Sequence, residues 1–122
     1  MSKESLIAVV DDDASFRTAL VESLCSLGHV VHGFASAEEF LGPGNVDSYD
    51  CIISDIHMPG MSGIDLKRLL TARDSRVPLI MITARTEPGL EVSAVASGAL
   101  CLLRKPFETD VLTGCLEKAL AG

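Results

Sequence analysis

Aromatic residues are scarce in this sequence, which has no Trp, one Tyr and four Phe in 122 residues. Because flavin sites and platforms for single-stranded nucleic acid stack their ligands on aromatic rings, neither class of function is favoured. Basic residues are also few, since 10 Lys and Arg stand against 17 Asp and Glu, a formal net charge of −7. This balance argues against direct binding of nucleic acid or an anionic membrane, so any contact with DNA is expected to come from an attached domain.

The sequence also lacks long apolar runs. The longest, such as residues 6–10 and 79–82, fall far short of the roughly 20 residues that cross a bilayer, so no membrane span is predicted. Residues 1–6 include Lys3 and Glu4 and do not resemble a secretory signal. With 48% apolar residues, the chain is expected to form one domain over residues 1–122, alone or as part of a longer protein.

The four cysteines form no C-x-x-C pair and, with the three histidines, give no zinc-finger spacing. Three of them lie in apolar stretches, where a small buried side chain suits the surroundings. We therefore interpret Cys25, Cys51, Cys101 and Cys115 as reduced core residues of a cytoplasmic protein.

Short aliphatic runs alternate with stretches of helical periodicity along the chain. Strands are predicted at residues 7–10, 30–34, 51–54, 79–83 and 100–104. Apolar residues at 16, 20, 24 and 27 predict a core-facing stripe on the first helix, for which Asp13 is the expected N-cap. Capping-box spacing is present in Ser36 with Glu39 and in Ser62 with Asp65. We predict an α/β protein with a flavodoxin-like, doubly wound (βα)5 architecture and a five-stranded parallel sheet of order 2-1-3-4-5.

Polar side chains follow four of the five predicted strands. They are Asp11, Asp12 and Asp13 after the first strand, Asp55 after the third, Thr83 at the end of the fourth and Lys105 after the fifth. In a parallel sheet these ends lie at one edge, and the order 2-1-3-4-5 places a crevice between strands one and three. The second strand ends without a reactive side chain, as expected for an edge strand away from the site.

A cluster of carboxylates at this edge needs either a raised pKa or a cation. Two carboxylates about 4 Å apart repel by roughly 4 kcal/mol at an effective dielectric near 20. An all-oxygen donor set favours a hard divalent ion, of which Mg²⁺ is the natural candidate. A carboxylate beside such an ion can attack phosphorus, while Lys105 would pair with a phosphoryl oxygen and Thr83 would donate a hydrogen bond. The residues therefore predict a phosphorylatable aspartate with magnesium.

Four segments at these spacings resemble a known family. They are VVDD at 9–12, SDIHMPGMSG at 54–63, ITA at 82–84 and LRKPF at 103–107. The sequence resembles, over almost its full length, the receiver (CheY-like) domain of two-component response regulators. Residues 34–41 and the triple Asp are most similar to the FixJ-type subgroup, in which the receiver usually precedes a LuxR-type DNA-binding domain.

The resemblance implies a role for each acidic residue of the cluster. Asp55 would accept a phosphoryl group from a sensor histidine kinase or a phosphotransfer protein. Asp12 would bind Mg²⁺ directly and Asp11 through water. The backbone carbonyl of His57 would complete the protein ligands, with its ring facing solvent.

The resemblance also implies how phosphorylation would be sensed. Thr83 and Lys105 would bind the phosphoryl group, with Lys105 preceding a cis bond to Pro106. The switched surface would be formed by the fourth helix, fifth strand and fifth helix, and would support a homodimer or release an output domain. Such a domain promotes its own phosphorylation and dephosphorylation and is not a turnover enzyme.

Three positions bear on how far the family pattern applies. The residue three positions before the lysine is usually aromatic in the family but is Leu102 here, so coupling by aromatic rotation is not expected. Arg85 and His57 occupy positions that tune dephosphorylation in the family. A cation at Arg85 could hold the phosphoryl group or block the attacking water.

Two other functions fit parts of the pattern. The run DDDAS at residues 11–15 superficially matches the Asp-x-Asp motif of haloacid-dehalogenase-like phosphatases, in which Asp11 would be the nucleophile. That family generally needs a larger chain. Leu102 is compatible with a third possibility, an interaction module that works without phosphorylation.

Overall fold

Strands and helices alternate along the chain in the computed structural model, which describes residues 5–121. The strands are β1 (Leu6–Val10), β2 (Val30–Phe34), β3 (Cys51–Asp55), β4 (Leu79–Thr83) and β5 (Cys101–Arg104). The α-helices are α1 (Ala14–Ser26), α2 (Ala37–Leu41), α3 (Gly63–Ala72), α4 (Leu90–Ala96) and α5 (Thr109–Leu120), and a short 3₁₀ helix covers Val46–Ser48. The predicted domain bounds at residues 1 and 122 lie outside the described residues.

The strands form one parallel sheet in the order β2-β1-β3-β4-β5. This confirms the predicted fold class and strand order. Each predicted strand is present, and three differ from their predicted bounds by one residue: β1 begins at Leu6, β3 continues to Asp55 and β5 begins at Cys101. The register aligns the carboxyl ends, because Val10 pairs with Ser54 and Asp55 pairs with Ile82.

The sheet is covered by helices on both faces. Alternate residues of a strand point to opposite faces, so Ala8 and Val10 pack with α2, α3 and α4, whereas Ile7 and Val9 pack with α1 and α5. The central strands β1, β3 and β4 are therefore buried on both sides, which explains their nearly continuous aliphatic sequences.

Most predicted helix caps are present. Asp13 accepts a hydrogen bond from the backbone N–H of Phe16, and the complete capping box of Ser62 and Asp65 begins α3. At α2 the structure shows half of the predicted box, in which the Ser36 hydroxyl accepts from the backbone N–H of Glu39.

Two residues assigned to the core from the sequence lie at the surface. Leu27 is 49% exposed because α1 ends at Ser26, so the residue has left the stripe that buries Leu20 and Leu24. Cys25 is exposed as well, since it follows Leu24 by about 100° around the helix.

The other cysteines fit the core prediction better. Cys51 and Cys115 are buried and Cys101 is partly buried, and all four thiols are free. Burial raises the pKa of both the Cys51 and Cys115 thiols to about 12. Both are therefore protonated and poorly nucleophilic near neutral pH.

None of the helices in the described part of the chain has the length and apolar composition needed to span a membrane.

Two glycines offer a direct test of this packing. A Cβ atom on Gly63, the first residue of α3, would lie 2.5 Å from the Asp55 carbonyl oxygen, which is backbone and has little freedom to move. We expect Gly63→Ala to lower the free energy of unfolding by about 1–3 kcal/mol, as overpacking does. Chemical denaturation measures the change.

The matched control is Gly114→Ala in the interior of α5. A Cβ atom there meets no other atom within 4 Å, so the substitution should stabilise the helix by about 0.5–1 kcal/mol. Equal effects of the two substitutions would contradict the close approach of α3 to β3.

Candidate functional site

The carboxyl edge of the sheet brings the predicted polar residues together. Asp11 follows β1, Asp55 ends β3, Thr83 ends β4 and Lys105 follows β5. Backbone pairing continues past the strand ends, because the N–H of Asp11 donates to the Phe34 carbonyl at 3.0 Å and that of Lys105 donates to the Thr83 carbonyl at 2.8 Å. The sheet itself therefore fixes where these side chains begin.

Three carboxylates meet in this crevice. Asp11, Asp12 and Asp55 each offer an oxygen, and these atoms lie within 4.8 Å of one another. Asp11 and Asp55 are buried, whereas Asp12 is exposed. Clustered carboxylate oxygens with one side open to solvent fit Mg²⁺, which prefers oxygen ligands and keeps several waters.

Lys105 lies between the two buried carboxylates. Its Nζ atom is 3.0 Å from Asp11 Oδ2 and 3.5 Å from Asp55 Oδ2. The same ammonium lies 3.9 Å from the centre of the Phe16 ring, a cation–π contact. The peptide bond from Lys105 to Pro106 is cis, as the resemblance implied. One ammonium balances only one of the three carboxylates, so the cluster retains negative charge for a cation.

The environment of Asp55 disfavours its ionised form. Burial raises its pKa above the ordinary value, and the charge of Asp11 raises it further. Lys105 and the backbone N–H of His57, which donates to Asp55 Oδ1 at 3.2 Å, act in the opposite direction. A divalent cation among these carboxylates would reverse the net effect by favouring the charged form.

The ring of His57 is placed differently from the prediction. It was expected to face solvent, but Nδ1 lies 3.3 Å from Thr83 Oγ1 and Nε2 lies 3.8 Å from Glu87 Oε1. The side chain is only 27% exposed. The prediction failed because the loops after β3 and β4 meet here, a contact that neither segment shows alone. The role of the His57 carbonyl as a metal ligand stays a prediction.

The loop after β4 is held by charged residues of the loop itself and by Arg104 of β5. Arg85 donates from its side chain to Glu87 at 2.9 Å and from its backbone N–H to Thr83 Oγ1 at 3.0 Å. The hydrogen bond from Arg85 lowers the pKa of Glu87. Arg104 donates to the Arg85 carbonyl at 2.8 Å.

Leu102 lies in β5, where the family usually has an aromatic residue. It pairs with Met81 in the sheet and packs, partly buried, against the core on the face of α2, α3 and α4. The leucine that stands in place of the usual aromatic residue therefore packs against the core.

Residues of α1 contribute contacts that sequence reasoning missed. Phe16, assigned only to the core stripe, also touches the Lys105 ammonium. Arg17 donates to the Asp11 carbonyl at 2.7 Å and so holds the backbone beside the carboxylates. Both lie in the first turn of α1, which directly follows the acidic end of β1. Their closeness in sequence to Asp11 is the feature from which these contacts could have been predicted.

A groove of about 600 Å³ adjoins the cluster and is lined in part by Asp12, His57 and Arg85. A larger cavity, about 920 Å³, lies at the opposite edge of the sheet beside Pro78 and Leu100. The larger cavity is less relevant to the predicted chemistry, because the carboxylate cluster lies at the other edge.

Comparisons with known proteins agree with this geometry. A family model described as the response regulator receiver domain matches residues 7–117. The chain is 38% identical over 120 residues to the transcriptional regulatory protein FixJ of Bradyrhizobium diazoefficiens, covering 98% of this chain and 58% of that protein. It is 35% identical over 118 residues to the response regulator protein TodT of Pseudomonas putida, covering 97% of this chain and 52% of that protein. The chain thus spans little more than half the length of these relatives.

Solved structures show the same fold. The crystal structure of FixJ-N has a TM-score of 0.89 at 31% identity, over 98% of this chain and 96% of that one. The chemotaxis protein CheY4 of Vibrio cholerae has a TM-score of 0.86 at 29% identity, over 97% of this chain and 100% of that one.

The raised pKa of Asp55 predicts a pH dependence of stability. As pH rises from below the ordinary value of 3.8 through the raised value, the unfolded chain releases this proton first, so the free energy of unfolding falls. Asp55→Asn removes that loss. Without divalent metal, we expect it to be more stable than the parent chain at pH 7, with the difference shrinking as pH falls through this window.

Asp13→Asn is the matched control, because Asp13 is an exposed N-cap and Asn caps helices equally well. It removes the same charge and should change the stability little. Thermal unfolding at a series of pH values measures both variants. A destabilised Asp55→Asn at pH 7 would contradict the unfavourable environment of this carboxylate.

Proposed function

This chain belongs to the response regulator receiver domain family, and on that premise we propose that it accepts a phosphoryl group on Asp55 within a two-component phosphorelay. The observation that carries the proposal is the cluster of Asp11, Asp12 and Asp55 oxygens, within 4.8 Å of one another, with Lys105 against its two buried members. The donor would be the phosphohistidine of a sensor histidine kinase or a phosphotransfer protein.

Mg²⁺ is the proposed cofactor. Its direct ligands would be the carboxylates of Asp12 and Asp55 and the backbone carbonyl of His57, and Asp11 would bind it through water. When bound, the ion supplies positive charge that screens the carboxylates from the negatively charged phosphoryl group. These three direct protein ligands would leave positions for water, including the one that Asp11 would hold, and Mg²⁺ usually keeps several waters.

Phosphoryl transfer requires little covalent chemistry from the chain beyond the nucleophile. A carboxylate oxygen of Asp55 forms the O–P bond while the donor P–N bond breaks, and the departing imidazole keeps the electron pair. Lys105 pairs with a phosphoryl oxygen, for which its position 3.5 Å from Asp55 is suitable. Thr83 donates its hydroxyl to another. The chain thereby promotes its own phosphorylation as a signalling module, not as a turnover enzyme.

Phosphorylation would act through the face formed by α4, β5 and α5. Thr83 ends the strand before α4, and Lys105 follows β5, so both phosphate-binding residues connect to that face. Val92, Val95 and Val111 expose apolar side chains on these helices, and their exposed fractions are 72%, 67% and 50%. Such residues suit a homodimer that forms when the equilibrium shifts to the active arrangement.

The output of this domain is proposed to be control of transcription. FixJ is named a transcriptional regulatory protein, and the Escherichia coli relative NtrC, 34% identical over 119 residues, is named a DNA-binding transcriptional regulator. This chain covers 58% of the first and 25% of the second. We propose that residues 1–122 are one receiver domain of a cytoplasmic protein, joined to a DNA-binding output domain.

The alternative functions are less well supported. Asp11 would be the nucleophile of a haloacid-dehalogenase-like phosphatase, but its carboxylate is 1% exposed and accepts from both Lys105 and the backbone N–H of Asp13. An interaction module independent of phosphorylation has no use for the three clustered carboxylates and the lysine.

Labelling with acetyl phosphate tests the phosphoacceptor. In the presence of Mg²⁺ we expect the mass of the chain to increase by one phosphoryl group, because Asp55 is the proposed nucleophile. Asp55→Asn should abolish the increase, chelation of divalent metal should prevent it, and Asp13→Asn should leave it unchanged. Intact mass spectrometry measures the product. Labelling that survives Asp55→Asn but is lost in Asp11→Asn would favour the phosphatase.

The proposed role of Lys105 predicts a large kinetic effect. Lys105→Met should slow labelling on the order of 100-fold, the loss typical of removing a group that stabilises developing charge. Lys118→Met, at an exposed position near the end of α5, removes the same charge away from the site and serves as the control. Equal rates in the two variants would refute the role of Lys105.

A further inference from the structure

The hydroxyl of Thr83 is enclosed and has defined partners. Thr83 is fully buried, and its Oγ1 accepts a hydrogen bond from the backbone N–H of Arg85 at 3.0 Å. The proton of the hydroxyl then needs an acceptor of its own. Among the described residues, His57 Nδ1 is the atom that can accept this proton, because it lies 3.3 Å from Thr83 Oγ1.

The surroundings of His57 decide which ring nitrogen carries the proton. A neutral imidazole has one N–H and one bare nitrogen. Nε2 faces the carboxylate of Glu87, whose Oε1 atom lies 3.8 Å away. A carboxylate stabilises an N–H on the nitrogen that it faces. With the proton on Nε2, Nδ1 is the bare nitrogen and can accept from Thr83. Arg85 holds Glu87 in place through the hydrogen bond of 2.9 Å.

A phosphoryl group on Asp55 would compete with His57 for the same proton. The proposed function, on which this step rests, requires Thr83 to donate its hydroxyl to a phosphoryl oxygen. One hydroxyl proton cannot be donated fully to both acceptors. In the Nε2–H tautomer of His57 it is donated to Nδ1, which lies 3.3 Å from Oγ1.

We propose that His57, oriented by Glu87, is a positioning residue that retains the Thr83 hydroxyl in the unphosphorylated arrangement. The imidazole thereby sets how readily the domain enters its phosphorylated arrangement. It acts through Thr83, independently of the backbone carbonyl that His57 would offer to Mg²⁺.

The affinity for beryllofluoride, a mimic of the phosphoryl group, tests this role in the full chain with Mg²⁺. His57→Leu removes the competing acceptor but keeps the backbone carbonyl. We expect it to tighten beryllofluoride binding about fivefold to tenfold at saturating Mg²⁺, the net effect of one hydrogen bond. Glu87→Gln should tighten binding by a smaller factor, about twofold.

Glu91→Gln is the matched control for Glu87, because it makes the same change at an exposed position of α4. It should leave beryllofluoride binding unchanged. Unchanged or weaker binding by His57→Leu would overturn the proposal. Equal effects of Glu87→Gln and Glu91→Gln would show that Glu87 does not orient His57.

A double-mutant cycle shows whether His57 acts through the hydroxyl. In a Thr83→Val background, His57→Leu should produce no further tightening, since the shared hydrogen bond is already absent. The same gain in both backgrounds would overturn the mechanism. The ¹⁵N NMR signal of His57 Nδ1 provides a second readout: it should report a bare nitrogen in the resting chain and change when beryllofluoride binds. An N–H on Nδ1 in the resting chain would also overturn it.

The outcomes separate this inference from the proposed function. If the parent chain does not bind beryllofluoride, or if Asp55→Asn still binds it, the phosphoacceptor proposal fails. If the parent binds through Asp55 but His57→Leu has no effect, only the role of His57 fails. Should His57→Leu not fold, Glu87→Gln and the Nδ1 signal decide between the same outcomes.

Discussion

The repulsion between the buried carboxylates of Asp11 and Asp55 is the constraint around which this edge of the sheet is organised. Burial raises the pKa of Asp55, and the charge of Asp11 raises it further. Lys105 offsets part of this cost by contacting both carboxylates, at 3.0 Å and 3.5 Å. The negative charge that remains favours a divalent cation, because the lysine alone leaves the clustered carboxylates incompletely balanced.

The residues around the cluster keep it in place from three directions. From α1, Arg17 holds the Asp11 backbone and the Phe16 ring lies against the Lys105 ammonium. From the loop after β3, the His57 backbone N–H donates to Asp55. From the loop after β4, Arg85 donates its backbone N–H to Thr83. The site therefore depends on separate loops that only the parallel sheet brings together.

Several features could be predicted from the sequence because they are local. Short aliphatic runs reveal strands and helical repeats reveal helices, and the alternation of the two predicts a parallel sheet, whose carboxyl ends must share an edge. The same logic failed at Leu27 and Cys25, where the end of α1 and a small rotation around it decide exposure. It also failed at the His57 ring, whose partners Thr83 and Glu87 come from another loop.

By itself the sequence determined the strand order and the identity of the polar groups at the carboxyl edge, because both follow from the repeat pattern and from the residues that end each strand. Only the tertiary structure decided which of those groups touch. The Lys105 ammonium lies between Asp11 and Asp55, and the Thr83 hydroxyl faces His57, because of distances between chain segments far apart in sequence. A hydrogen bond depends on differences of a few tenths of an ångström, which residue spacing along a chain does not encode.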